Sequence, residues 1–364
     1  MPATSRKGRS AAAGSRFSAV ALAITVAAVA VLLACTAGEE GEQPISGEDT
    51  PAPELTPTAE PPDGLTGTVD EFFVGGKPWG IAVDPERGRI YVANESDNTA
   101  LVLDAATGEI LATIRLGTGP SSVAVNVEEG LVYITNAWTN NVSVVSAGTD
   151  TVVGTVEVGE APWDVAVDPD LNRVYVANSR SDSVSVLDAI SNETVVTIAV
   201  PGSPRAVAVA SQPGSVYVAI SGGETEGIAV IAAGNAVVAT VPAGEAPWGV
   251  AVDSQDGRIY VANSGSGEVT VIDGTSNTPI DVIPVGSGPL SVAVDTSRHR
   301  IYVANWLEDT VSVIDGDSYA VLATVKVGEG PRDLALDPNS GRVYVANSGS
   351  GSVSVIEGSR IGSR

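Results

Sequence analysis

The runs Asp164-Val-Ala-Val-Asp168 and Arg173-Val-Tyr-Val-Ala-Asn178 contain the pattern that decides the fold. Both alternate in a way that is typical of β-strands, and the residues between them are turn formers. The tetrapeptide Tyr-Val-Ala-Asn, or a close variant, recurs seven times with spacings of 42, 42, 42, 43, 42 and 42 residues. One supersecondary unit is therefore repeated along the folded region. The copies begin at Tyr91, Tyr133, Tyr175, Tyr217, Tyr260, Tyr302 and Tyr344.

Each unit contains four short runs with strand character, which we label A to D. In the third unit, A ends at Asp168, B ends at Asn178, C is Ser183-Val-Ser-Val-Leu-Asp188, and D covers 194–200. Four antiparallel strands in about 42 residues predict a propeller blade, and propellers of four to eight blades are usual. We therefore predict an all-β fold, a seven-bladed β-propeller with four-stranded antiparallel blades.

The two ends of the repeated region are offset by one strand. The last unit ends after strand C at Ile356-Glu357, whereas the region opens with a D-like strand over 68–74. We predict that this N-terminal strand completes the last blade and closes the ring, which removes the free edges. The propeller is assigned to residues 68–358 and a short tail to 359–364.

Three elements of the repeat resemble the YVTN β-propeller repeat family. They are the Tyr-Val-Ala-Asn and Tyr-Ile-Thr-Asn cores, the Gly-x-x-Pro before strand A, and the Val-Ser-Val-Ile-Asp of strand C. The resemblance covers roughly residues 68–357. It implies a fold like that of bacterial periplasmic and cell-surface propellers, archaeal surface-layer proteins, the haem d1 domain of nitrite reductases and quinoprotein amine dehydrogenase subunits. It implies no particular activity.

Residues 1–34 have the pattern of a signal peptide, with a basic stretch through Arg16 and an apolar run from Phe17 to Ala34. The only cysteine, Cys35, follows Leu-Leu-Ala, a sequence that resembles the lipobox of bacterial lipoproteins. The resemblance implies that Cys35 is the lipid attachment site and that the protein lies outside the cytoplasm, anchored to the cell membrane. An uncleaved signal anchor is the alternative, because about 18 apolar residues can just span a bilayer.

Residues 35–67 are predicted to form an acidic, proline-rich, disordered tether. From Thr36 to Gly67 there are eight acids, six prolines and no Lys or Arg, with little apolar surface to bury. The formal net charge of the whole chain is −25. Such a charge repels phosphate backbones, so we do not expect nucleic acid as a partner.

Three charged positions recur in five units and are absent together from units two and four. They are an acid at the end of strand A, an Arg before strand B and an acid after strand C, exemplified by Asp168, Arg173 and Asp188. We predict that each triplet forms an acid–Arg–acid cluster that ties the turns of one face together. The Asn that ends strand B is predicted to make hydrogen bonds in the turns.

All five tryptophans fall in D–A or B–C loops, which share one face because strand direction alternates. Three follow the Pro that leads into strand A, and two arginines occupy the same position in other units. This combination suits stacking against a sugar ring or clamping an anionic group. The alternative is that the indoles fill the seams between neighbouring blades. The candidate ligand-binding residues are Trp79, Trp138, Trp163, Arg205, Trp248, Trp306 and Arg332.

The sequence gives little support for catalysis. The only histidine, His299, lies in an A–B turn on the opposite face, and the clustered ligands that haem or a bound metal needs are missing. We expect no catalytic residue, metal, haem or other cofactor. A carboxylate site for a divalent cation is the alternative, in a lactonase- or lyase-like enzyme. Its candidate ligands are Asp164, Asp333, Glu95, Asp97, Glu308 and Asp309.

These patterns together favour a lipid-anchored, non-enzymatic binding module. The expected ligand is a protein, a peptide or a glycan of the cell envelope, bound through the Trp- and Arg-bearing face. The divalent-cation enzyme is one alternative, and a purely structural component of the cell envelope is the other.

Overall fold

The computed structural model describes residues 69–210, 214–222 and 225–358. The predicted signal peptide at 1–34, Cys35, the tether at 35–67 and the tail at 359–364 lie outside these residues. Within the described ranges, no helix has the length and apolar character needed to span a bilayer.

The regular secondary structure of the described residues consists of 28 short β-strands. In chain order they are β1 (Val69–Phe73), β2 (Pro78–Asp84), β3 (Arg89–Asn94), β4 (Thr99–Asp104), β5 (Ile110–Arg115), β6 (Pro120–Asn126), β7 (Leu131–Asn136), β8 (Asn141–Ser146), β9 (Thr151–Glu157), β10 (Pro162–Asp168), β11 (Arg173–Asn178), β12 (Ser183–Asp188), β13 (Glu193–Ala199), β14 (Ser203–Val209), β15 (Val216–Ser221), β16 (Gly227–Ala232), β17 (Ala236–Val241), β18 (Pro247–Asp253), β19 (Arg258–Asn263), β20 (Glu268–Asp273), β21 (Thr278–Pro284), β22 (Pro289–Asp295), β23 (Arg300–Asn305), β24 (Thr310–Asp315), β25 (Val321–Lys326), β26 (Pro331–Leu336), β27 (Arg342–Asn347) and β28 (Ser352–Glu357).

These strands form seven four-stranded sheets, each antiparallel throughout. Blades 1 to 6 are β2–β5, β6–β9, β10–β13, β14–β17, β18–β21 and β22–β25, which pair in chain order from strand A to strand D. Blade 7 has the order β26-β27-β28-β1, so the N-terminal strand supplies its strand D. The predicted all-β, seven-bladed propeller is confirmed.

The seven A strands form the innermost layer of the ring. Each lies against the A strand of the next blade, and β26 lies against β2, so the sequence of contacts closes on itself. The A strands therefore bring the same position of all seven repeats to one central channel.

The Tyr-Val-Ala-Asn motif buries both faces of its blade. In blade 1, Tyr91 and Ala93 pack with residues of blade 2, whereas Val92 packs with Tyr344 of blade 7. The alternation of a strand thus directs successive side chains into two different seams. The hydroxyl of Tyr344 also donates a hydrogen bond to the Ala105 carbonyl of blade 1, at 2.8 Å. The repeated motif therefore joins each blade to its neighbours.

The predicted acid–Arg–acid cluster is only partly correct. Cross-strand register does place Asp168, Arg173 and Asp188 in one row, and Arg173 lies 2.5 Å from Asp188. Four of the five acids at the end of strand A are instead buried, and all five accept hydrogen bonds from backbone N–H groups of the A–B turn, as Asp168 does from Leu171 at 3.0 Å. In blade 1, Arg89 reaches Asp150 of blade 2, at 2.7 Å. The Arg pairs with the acid at the end of strand C in blades 3, 6 and 7, whereas Arg258 of blade 5 lies 3.7 Å from Asp256 of its own A–B turn.

The Asn that ends strand B mostly bonds across the sheet rather than within a turn. The side-chain amide of Asn178 donates a hydrogen bond to the Ser185 hydroxyl of strand C at 2.9 Å, and blades 2, 5, 6 and 7 have the same bond. In blade 1, strand C carries Leu101 at this position, and Asn94 accepts a hydrogen bond from the Lys77 N–H at 2.8 Å. Of these six blades, only blade 1 therefore has the Asn in the turn hydrogen bonding that the sequence predicted.

Candidate functional site

A β-bulge lies at the start of strand A in every blade, directly after the Pro. In blade 3, Pro162 pairs with Asn178 and Asp164 pairs with Ala177, so Trp163 has no partner on strand B. A bulge changes the direction of the side chains beside it. As a result, Trp163 and Asp164 both line the same cavity, although they are consecutive in the chain.

This cavity lies where the A strands begin and has a volume of about 150 Å³. We call it the channel mouth. All seven blades line it: six contribute both the bulge residue and the residue after it, and blade 1 contributes Trp79 alone. Its aromatic and charged lining residues are Trp79, Trp163, Trp248, Arg205, Arg332, Asp164 and Asp333.

Trp163 contacts both of the other indoles of the mouth. The ring centroids of Trp79 and Trp163 are 5.6 Å apart, and those of Trp163 and Trp248 are 6.1 Å apart in an edge-to-face arrangement. These residues come from blades 1, 3 and 5, so each contact passes over an intervening blade. A side chain that fills a seam would contact the adjacent blade instead. The three indoles are therefore part of the channel mouth.

The guanidinium of each mouth arginine lies close to two indoles. The guanidinium carbon of Arg332 lies 4.0 Å from the ring centroid of Trp79 and 4.9 Å from that of Trp306. The corresponding distances for Arg205 are 5.8 Å to Trp163 and 4.9 Å to Trp248. Cation–π attraction favours this placement. The structure thereby brings Trp306, from a B–C loop, next to the mouth.

Neither mouth arginine forms an ion pair within the described residues. The Nε of Arg205 is buried without a hydrogen-bond partner there, and Arg332 Nε is 3.4 Å from the Ser348 hydroxyl. Burial lowers the pKa of both guanidiniums from its ordinary value, and Glu95 opposes this shift at Arg332. An Arg nevertheless stays charged at neutral pH. Among the residues that the structure describes, the mouth therefore contains two positive charges with no carboxylate within ion-pair distance.

The two carboxyl groups of the cavity have different surroundings. Asp164 accepts hydrogen bonds from the Ser122 hydroxyl at 2.6 Å and the Val207 N–H at 2.8 Å. Asp333 accepts from the Ser291 hydroxyl at 2.8 Å and from the Ile81 N–H at 3.0 Å. Each aspartate therefore links three consecutive blades: 2, 3 and 4 for Asp164, and 6, 7 and 1 for Asp333.

Protein atoms surround both carboxyl groups, although part of each residue remains accessible to solvent. Burial raises the pKa of Asp164, and it raises the pKa of Asp333 to about 6, with a further contribution from the nearby charge of Asp164. The hydrogen bonds to Asp333 act in the opposite direction. A group with this pKa changes charge within the physiological range.

Ser122 and Ser291 are residues of this site that sequence reasoning missed, although a signal was present. The residue after the bulge reads Gly80, Ser122 and Asp164 in units one to three, and Gly249, Ser291 and Asp333 in units five to seven. Each Ser bonds to the Asp of the following blade. The repeated order Gly-Ser-Asp therefore indicates two equivalent links between blades.

Trp138 lies on the same face but not in the cavity. Its side chain is exposed in the B–C loop of blade 2, and the guanidinium carbon of Arg180 lies 5.3 Å from its ring centroid. The structure thus separates Trp138 from the other four tryptophans. The ligand-binding role of all seven candidate residues stays a prediction.

Of the six carboxylates proposed as cation ligands, only those of Asp164 and Asp333 line the same cavity. Asp309 accepts a hydrogen bond from the Gly330 N–H, Glu308 accepts from Ser287, and Asp97 lies beside Asn94 and Ser96. Within the described residues, no three His, Cys, Asp or Glu side chains are close enough together to hold a metal ion. His299 Nδ1 lies 3.7 Å from Asp317, in an A–B turn on the face opposite the mouth.

Comparisons with known proteins agree with a propeller built from repeats. A family model for the NHL repeat matches residues 246–272, which contain strands A and B of blade 5 and most of strand C. The curated proteins include no significant sequence match. A solved structure, "Kuenenia stuttgartiensis Hydrazine Synthase", is similar with a TM-score of 0.73 and 20% sequence identity, over 79% of this chain and 96% of that chain. At this identity the likeness shows the fold alone. Membership of the YVTN family and the lipoprotein assignment stay predictions.

Proposed function

We propose that this protein is a non-enzymatic binding module, lipid-anchored outside the cytoplasm through Cys35, whose channel mouth captures an anionic ligand. One observation carries the ligand class. Arg205 and Arg332 share one cavity, and neither has an acidic partner in the described part of the chain. The location rests on the signal-peptide and lipobox patterns of the sequence.

The lack of partners is informative because the protein is strongly acidic. Seven other arginines, all on the opposite face, lie between 2.5 and 3.7 Å from a carboxylate oxygen; they are Arg87, Arg89, Arg173, Arg258, Arg298, Arg300 and Arg342. A partly buried charge without a partner costs free energy. An anionic ligand would remove that cost at both guanidiniums.

The contacts between the mouth arginines and the indoles favour an anion over a neutral sugar ring or a cation. The guanidinium carbon of each mouth arginine lies within 5.8 Å of the centroids of two indole rings, and the N–H donors of a guanidinium all lie in its plane. Those donors match a carboxylate or phosphate group. The indole faces that would attract a cation already contact a guanidinium. The recognised group is therefore an oxyanion that accepts hydrogen bonds from the N–H groups of the mouth guanidiniums.

The test is a titration of the full-length protein in detergent, followed by tryptophan fluorescence and by calorimetry. The panel contains acetate, benzoate, succinate, inorganic phosphate and galacturonate, with glucose and choline as neutral and cationic probes. We expect saturable binding of at least one anion. The double variant Arg205→Met/Arg332→Met should weaken it about 30-fold or more, because a desolvated charge pair loses one partner.

The matched control is Arg173→Met/Arg300→Met, which removes two arginines of the opposite face and should leave binding unchanged. Binding of glucose or choline but of none of the anions would contradict the proposal. A complete lack of binding across the panel would favour the structural alternative.

A further inference from the structure

We propose that the ligand is a small diacid with two carboxylates on one short framework, one for each mouth arginine. This inference rests on the proposed function, since it specifies the anion that the channel mouth takes. It is supported by the positions of the two arginines, the size of the cavity and the hydrogen bonds of its other polar groups.

The two arginines form equivalent halves of one site. Arg332 lies beside Trp306 and Trp79, and Arg205 lies beside Trp163 and Trp248. The ring centroids of Trp79 and Trp163 are 5.6 Å apart, so the six side chains form one connected cluster at the mouth. Each half contains the N–H donors of one guanidinium. A ligand with a single carboxylate would engage one half and leave the other positive charge without a partner.

The cavity limits the size of the ligand. Its volume of about 150 Å³ is similar to that of an engineered cavity that holds one benzene molecule. Only a few carbon atoms fit between the two acid groups. A large polymer would place no more than a terminal group here.

The serine hydroxyls of the cavity do not compete with the two guanidiniums for the carboxylates of the ligand. The hydroxyls of Ser121, Ser122 and Ser291 donate to the Pro162 carbonyl, Asp164 and Asp333, respectively. Their protons are therefore unavailable to a ligand. The carboxyl groups of Asp164 and Asp333 accept hydrogen bonds from neighbouring blades and form no ion pair with either mouth arginine in the described residues.

A second contact on the same molecule should increase affinity strongly. Once one carboxylate is bound, the other meets its guanidinium at a high effective concentration if the framework has the right length. A series of diacids should therefore show one preferred chain length.

The experiment titrates the full-length protein with α,ω-dicarboxylates from malonate to suberate, and with the monomethyl ester of each. The ester keeps the framework and removes one charge, so the comparison needs no change to the protein. We expect one diacid to bind at least about tenfold more tightly than its own monomethyl ester. Binding is followed by tryptophan fluorescence at constant ionic strength.

Single variants then locate the two contacts. Arg205→Met and Arg332→Met should each reduce the diacid's advantage over its ester to less than about twofold, because one guanidinium remains. Arg180→Met is the matched control, since Arg180 stacks on Trp138 outside the cavity, and it should keep the full advantage. Arg205→Lys and Arg332→Lys retain the charge and show whether the planar, bidentate hydrogen bonding of a guanidinium is required.

Three outcomes are distinguishable from the expected one. If every diacid binds no better than its ester, the two-carboxylate inference is wrong while the proposed anion site stands. If inorganic phosphate binds as tightly as the best diacid and needs both arginines, a single dianionic group occupies the mouth and the inference is again wrong. If no anion binds, the proposed function itself fails.

Discussion

On the face formed by the A–B and C–D turns, Arg300 lies 2.7 Å from Asp315, whereas Arg205 and Arg332 at the channel mouth contact indoles and have no acidic partner in the described residues. The same seven repeats build both faces. On the turn face most blades repeat the same charges, and each arginine there lies beside a carboxylate. At the mouth, the residue after the Pro differs between blades. Regular repetition therefore indicates the scaffold, and the variable position indicates the surface available to a ligand.

Two glycines of blade 5, one on each face, have different structural roles. At the mouth, Gly249 of blade 5 lies directly against the backbone of blade 6: a Cβ atom there would be 2.5 Å from the Leu290 carbonyl oxygen and 3.0 Å from Ser291 Cα. On the turn face, a Cβ at Gly257 would meet no atom within 4 Å, and the glycine is needed for its φ of +66°. One glycine thus permits packing around the axis, and the other permits a turn.

The largest expected effect separates these two uses of glycine. Gly249→Ala should lower the free energy of unfolding by about 3 kcal/mol, because neighbouring backbone atoms have to move. Gly257→Ala should cost only about 1 kcal/mol, the penalty of a left-handed conformation. Urea unfolding of both variants measures the difference. Equal losses would show that the contact between the A strands is not tightly packed.

The second prediction concerns the pH dependence of stability. The pKa of Asp333 in the folded protein, about 6, is above its ordinary value of 3.8. The folded state therefore takes up a proton at higher pH than the unfolded state, and stability should increase as the pH falls from 7 towards 5. The gain from this group should be about 1–3 kcal/mol. Asp333→Asn should flatten the profile, leaving the contribution of Asp164.

The control for this prediction lies on the turn face. The backbone N–H of Ser191 holds the pKa of Asp188 below its ordinary value, so its stabilising effect is present at neutral pH and is lost only as the pH falls below about 4. Asp188→Asn should therefore leave the slope between pH 7 and 5 unchanged. Thermal unfolding at half-unit pH intervals gives both profiles. A flat wild-type profile over this range would exclude a raised pKa at Asp333.

The smallest expected effect concerns the ion pairs of the turn face. A double-mutant cycle with Arg300→Met and Asp315→Asn should give a coupling energy of roughly 0.5–1 kcal/mol, because both side chains remain in contact with water. The Asn keeps a side-chain oxygen for the Ser318 N–H, which Asp315 now binds at 3.0 Å. Urea unfolding of the four proteins measures the coupling. A value above about 2 kcal/mol would mean that this face also holds strongly desolvated charges.

The sequence predicted most of the fold because the repeat is read directly from residue spacing. It also predicted that Trp79, Trp163 and Trp248 lie on one face, since strand direction alternates. It did not predict the links from Ser122 to Asp164 and from Ser291 to Asp333, because these join residues 42 positions apart in different blades. It also paired the wrong partners in the acid–Arg–acid row. Register brings Asp168 and Arg173 together, but the backbone of the A–B turn binds the carboxylate.

By itself, the sequence determined the seven four-stranded blades, since alternation and turn chemistry act over short distances and every unit repeats them. Only the tertiary structure decided what the side chains after each Pro do. Closing the ring brings seven strand ends to one axis, and the bulge at each end turns Trp163 and its equivalents into the cavity. Contacts such as that between Trp79 and Trp163 depend on the angle between non-adjacent blades, which no local pattern specifies. The two unpaired guanidiniums of the mouth are a product of that closure.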